Sequence, residues 1–141
     1  MKKLFFLAAF VLAAQISFGQ AAAVAGTTRP ASDYAVAVID EMSHDFGKIK
    51  QGVPVTHEFT FVNKGKVPMI ITNAQPSCGC TIPAWTKDPI PPGGQGSVKA
   101  TFNAASPGLF DKSVTVTANV ESGIVVLRFR GEVIANPPNE E

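Results

Sequence analysis

From Tyr34 to Ala135, apolar and polar residues alternate in short runs, and no helical period of about 3.6 residues emerges. Val55, His57, Phe59 and Phe61 alternate with Thr56, Glu58 and Thr60, which is the pattern of a half-buried strand. Tyr34 to Asp40, Val98 to Asn103, Val114 to Asn119 and Ile124 to Ile134 repeat it. Met69 to Ala74 predicts a further strand, apolar enough to be buried on both faces. Asn63-Lys64-Gly65-Lys66 predicts a hairpin turn, and Ser106-Pro107-Gly108 and Glu121-Ser122-Gly123 predict two more turns. Pro83 to Gly94 holds four prolines and two glycines and reads as a loop. Turn signals spaced by roughly 8–14 residues, with no helix between them, predict an all-β fold. The expected architecture is an antiparallel immunoglobulin-like β-sandwich of about seven strands, with a closed barrel as the competing arrangement.

The residues before this body are of a different kind. Lys2-Lys3 precedes an unbroken apolar run from Leu4 to Ala14, and Ser17-Phe18-Gly19 follows with small residues at the cleavage positions. This predicts a signal peptide over residues 1–19, cut after Gly19. The run is shorter than the roughly 20 residues that cross a bilayer, and no cysteine follows it to carry a lipid. The expected product is exported, to the periplasm or the cell surface, with no membrane span after cleavage. Residues 20–33 are small and polar and predict a flexible leader, residues 34–135 the folded domain, and residues 136–141 a disordered tail.

The chain has twelve basic and eleven acidic residues, and loss of Lys2 and Lys3 leaves a slight acidic excess. No run of Lys or Arg survives that could follow a phosphate backbone, which excludes nucleic acid as an expected partner. Lys48/Lys50 and Lys64/Lys66 read as solvated charges at turns.

The unusual chemistry lies in Pro76-Ser77-Cys78-Gly79-Cys80-Thr81-Ile82-Pro83, which holds both cysteines of the chain. Residues two apart in a strand stand about 6.4–6.8 Å between Cα atoms, the outer limit for a disulfide. Gly79 can pucker the chain and bring the sulfurs together, so a Cys78–Cys80 disulfide or redox pair is one expectation. Two thiols used only for packing are a second. A third is a Cu(I) site on Cys78 and Cys80, with Met69 and His57 as completing ligands and Met42 and His44 as substitutes.

His44-Asp45-Phe46-Gly47, Phe59-x-Phe61-x-Asn63-x-Gly65, Ser77-Cys78-Gly79-Cys80-Thr81, Pro92-Gly93, Phe102, Gly108 and Gly131 together resemble the bacterial domain-of-unknown-function family 1573. The resemblance covers about Asp40 to Ile134, and its Ser-Cys-Gly-Cys-Thr core is its most specific part. It implies an immunoglobulin-like sandwich related to domains of the major-sperm-protein and cilia-associated type, and it implies no enzymatic activity. Such proteins are frequent in Bacteroidetes, and the Ser-Phe-Gly-Gln end of the signal peptide fits that group.

The remaining residues offer no catalytic constellation. His44 and Asp45 are neighbours on an extended chain and point to opposite faces, so they cannot work as a base and its orienting acid. His57 alternates with phenylalanines and reads as a half-buried, hydrogen-bonded side chain. Trp85 and Ile90 either cap the end of the sandwich or form an apolar contact for a partner. The expectation is a non-enzymatic exported module that binds an unknown protein, with strand addition at a sheet edge as one mode. It needs no cofactor. The alternative is a periplasmic redox or copper-binding protein using Cys78-Gly79-Cys80.

Overall fold

The structure, a computed structural model, describes residues 33–137. The predicted signal peptide, residues 20–32 of the leader and residues 138–141 of the tail lie outside the described part. Eight strands follow one another: β1 (Ala37–Ile39), β2 (Ser43–Lys50), β3 (Val55–Asn63), β4 (Ile71–Pro76), β5 (Thr81–Trp85), β6 (Gln95–Phe102), β7 (Gly108–Ala118) and β8 (Ile124–Ile134). They form two four-stranded sheets, ordered β1-β3-β6-β5 and β2-β8-β7-β4. This is the expected immunoglobulin-like sandwich, and its two separate sheets exclude the barrel. Every named pairing is antiparallel except β2 with β8, which run parallel.

The alternating positions supply the core. Phe59 and Phe61 of β3, Val98, Ala100 and Phe102 of β6, Val114 and Val116 of β7, and Leu127 and Phe129 of β8 meet between the sheets, all buried. Burial of each large side chain is worth about 1.5–3 kcal/mol, so this layer dominates the stability. In the first segment Ala35, Ala37 and Ile39 face inward while Tyr34, Val36 and Val38 face solvent.

Four local expectations change. Asn63 to Lys66 is not a hairpin, because β3 pairs with β1 and β6 and the chain then crosses to the other sheet. Gly65 is needed there for close approach: a Cβ would lie 2.7 Å from the Val36 backbone nitrogen. The strand expected at Met69 begins at Ile71, and it is not buried on both faces: Ile71 and Ala74 are buried, while Thr72, Asn73 and Gln75 are exposed. Lys48 and Lys50 lie in β2, a strand the alternation did not reveal. The stretch from Pro83 to Trp85, expected as loop, belongs to β5, where an edge position accommodates the proline.

Asn63 organises the crossing. It is fully buried, and its side-chain nitrogen donates to the Val67 and Ile90 carbonyls at 2.8 and 3.0 Å. Its side-chain oxygen accepts from Gly65 N–H at 3.0 Å. Its carbonyl accepts from Gly93 N–H at 2.6 Å, and its own N–H donates to the Gly94 carbonyl at 2.9 Å. One amide thus satisfies several backbone groups that would otherwise be buried without partners.

Candidate functional site

The cysteine segment carries the chain from β4 in one sheet to β5 in the other. Ser77 is fastened to β7: its N–H donates to the Ser113 carbonyl at 2.8 Å, and its hydroxyl accepts from Ser113 N–H at 3.0 Å. Cys78 and Cys80 are joined by a disulfide, with Cα atoms 5.2 Å apart. That is shorter than two strand residues allow, because the backbone turns at Gly79 rather than running extended. Thr81, buried, closes the turn with its hydroxyl 3.8 Å from the Cys78 sulfur. The Cys80 carbonyl then accepts from Asn103 N–H at 3.0 Å and begins the β5–β6 ladder.

Beside this crossover Leu109 projects from the start of β7. It is 87% exposed, although Phe110 next to it is buried against Phe102 with ring centroids 4.4 Å apart. Leu109 stands between two grooves. One, of about 230 Å³, is lined by Cys80, Phe102, Asn103, Ser106 and Lys112. The other, of about 560 Å³, is lined by Asp45, Gly47, Lys48, Asp111, Arg130 and Glu132.

The second groove owes its shape to a bulge in β2. Gly47 takes a left-handed φ of 63°, and the pairing with β8 shifts between Asp45 and Lys48. The extra residue lets His44 and Phe46 face inward on one side of it and Ile49 on the other. Asp45 faces out, accepts from Gly47 N–H at 2.8 Å and from the Arg130 guanidinium at 3.1 Å. Those two bonds hold its carboxyl below the usual carboxylate range, the backbone bond first. Gly131 is required opposite, where a Cβ would lie 2.7 Å from the Gly47 carbonyl oxygen.

The fold also gathers both histidines of the chain. The imidazoles of His44 on β2 and His57 on β3 stack with centroids 3.6 Å apart and planes 10° from parallel. Glu41, between β1 and β2, offers one carboxylate oxygen 3.2 Å from His44 Nδ1 and the other 3.4 Å from His57 Nε2. Phe46 and Phe59 pack edge-on against the pair. Burial lowers the pKa of His57, the His44 imidazole lowers it further, and Glu41 and Glu58 oppose the shift only in part.

The proposed Cu(I) set is not brought together. The sulfurs of Cys78 and Cys80 are bonded to each other, so neither is a thiolate donor. Met69 is in the core beyond the opposite end of β4, about 20 Å away along that strand. His57 lies on β3, separated from β5 by β6. Ile90 is 2% exposed and pairs with Met69, which makes it a core residue rather than a contact surface. Trp85 is half-buried against the core with the Lys87 ammonium over its ring. His44 and Asp45 do point to opposite sides of β2.

Glu41 and Leu109 were missed in the sequence. Glu41 falls in a loop with no pattern, and Leu109 carries only one faint signal, an apolar residue directly after the Ser106-Pro107-Gly108 turn.

Comparison with solved structures places the sandwich among proteins of the same fold. A protein of unknown function from Porphyromonas gingivalis W83 superposes with a TM-score of 0.64 at 14% identity, covering 73% of this chain and 49% of that one. The chain thus spans about half the length of that protein. The ASH/PapD-like domain 7 of human CEP192 gives a TM-score of 0.57 at 12% identity, with 74% and 89% covered. The secreted serine protease VesC from Vibrio cholerae gives 0.52 at 16% identity over 67% of this chain, but only 22% of its own. No curated protein matches the sequence. At these identities the likeness is one of fold. The family described as "Protein of unknown function (DUF1573)" matches residues 37–133, nearly the whole folded body, and the chain belongs to that family.

Proposed function

We propose that the chain works outside the cytoplasm as a non-catalytic module that binds a protein partner at the crossover end of the sandwich. Leu109 carries this reading: a large apolar side chain, 87% exposed, stands between two grooves near the start of β7. Exposed apolar side chains that fit between polar walls are the usual anchors of protein interfaces. The predicted signal peptide and the Cys78–Cys80 disulfide support an oxidising compartment.

At two of the four sheet edges, those of β5 and β2, docking through side chains fits better than strand addition. In β5 the bonds from Cys80 and Thr86 to β6 leave Thr81, Pro83 and Trp85 facing the free edge. Pro83 has no N–H to offer there. The free edge of β2 is broken by the Gly47 bulge and flanked by Lys48 and Lys50.

The test is affinity capture from the cell envelope of the native host, comparing the parent with Leu109→Asp. A specific partner should be captured by the parent and weakened roughly tenfold or more by the substitution, with the melting temperature unchanged. Equal capture by both would refute the assignment of this surface.

A further inference from the structure

The geometry points to a divalent transition-metal site on Glu41, His44 and His57, of the kind that holds Zn²⁺ with two imidazoles and one carboxylate. The three ligand atoms lie within 4.8 Å of one another. His44 Nδ1 and His57 Nε2 lie 3.2 and 3.4 Å from different oxygens of Glu41, so each imidazole is near the spacing of neighbouring ligands around a tetrahedral ion, and a small rotation of the carboxylate is needed for one oxygen to serve both. With bonds of about 2.0–2.1 Å, that spacing is about 3.3–3.4 Å. Imidazole and carboxylate together suit Zn²⁺, and three protein ligands leave its fourth position open to water or a partner's side chain.

The three ligands come from separate places in the fold. His44 belongs to the sheet β2-β8-β7-β4, His57 to the sheet β1-β3-β6-β5, and Glu41 to the connection between them. A bound ion would therefore tie the two sheets together at their open side. Phe46 and Phe59 wall the imidazoles on the core side, which restricts their rotation and keeps water to one face.

One movement is required for loading. Near-parallel rings aim their lone pairs side by side, so one imidazole must turn out of the stack to converge on an ion. His44 has the room, being on an edge strand with its side chain 27% exposed against 20% for His57. Glu41, at 48%, is free to adjust with it.

Titration of the full-length mature protein, free of any polyhistidine tag, with Zn²⁺ tests the site by calorimetry. The expected result is one ion per chain, with affinity reduced at least about tenfold by His44→Ala or His57→Ala and reduced also by Glu41→Gln. Co²⁺ in place of Zn²⁺ should give the visible absorption of a tetrahedral site in the parent alone. A measurement on the parent avoids any folding defect in the variants: Zn²⁺ should shift the ring nitrogen resonances of both histidines and end their mutual stacking. No saturable binding, unchanged imidazole resonances, or equal binding by a His44→Ala/His57→Ala variant would overturn the proposal.

Discussion

Single residues explain several of the motifs that stood out in the sequence. Cys78 and Cys80 were legible as a pair, but their state was not, because extended spacing and a glycine pucker predict opposite outcomes. The turn at Gly79 decided it, and a turn depends on what flanks it, here the anchoring of Ser77 to Ser113. The disulfide closes a loop of only three residues, from Cys78 to Cys80, for which chain entropy gives about 1.6 kcal/mol at 25 °C. Cys78→Ser/Cys80→Ser should therefore lower stability in urea by no more than about that amount, and reductant should produce most of the same loss in the parent. If reductant leaves the parent curve unchanged while the double variant is destabilised, the pair acts through packing instead. Asp45 bears on pH. A carboxyl whose pKa is depressed in the folded state stabilises that state above its unfolded value, and the contribution fades as pH falls. Asp45→Asn should be less stable than the parent at neutral pH, and the gap should close below about pH 4. A gap that is the same at both ends would contradict this role.

At the scale of elements, alternation revealed the strands with one wet face and hid the others. β3, β6, β7 and β8 alternate cleanly and were readable, whereas β2 changes parity at Gly47 and so shows no continuous pattern. β5 was read as loop because prolines weigh against strands, yet Pro83 sits where no N–H is needed. The supposed hairpin at Asn63 failed for a related reason: turn residues mark a change of direction without saying which sheet the chain enters next. Two variants probe these elements. Gly131→Ala would push a methyl group against the Gly47 carbonyl and the Phe110 ring, 2.7 and 2.8 Å away, and should cost about 1–3 kcal/mol by chemical denaturation. A neutral effect would show that the bulge yields freely. Pro83→Thr restores an N–H on the free edge of β5 and should raise concentration-dependent self-association, measured by sedimentation. A strictly monomeric variant would mean that this edge is protected by something other than the proline.

For the whole molecule, the sandwich joins its parts through one aromatic chain. His44 and His57 touch Phe46 and Phe59, Phe46 packs on Phe129, and Phe129 reaches Phe102 and Phe110 beneath Leu109. The core was legible because each strand writes its inward face in alternating residues. The candidate surfaces were not, because Glu41, Leu109 and the two grooves gain meaning only when the sheets face each other, with β2 against β3 and the start of β7 between β8 and the start of β5. We propose that this module meets another protein at the crossover end around Leu109. The most direct measurement places a photoreactive side chain at position 109, and a second at exposed Ile124 near the far end of β7 and β8, in living cells of the native host. A discrete cross-linked protein at position 109 and none at position 124 is the predicted result. Cross-linking at position 124 alone, or at neither position, would contradict it.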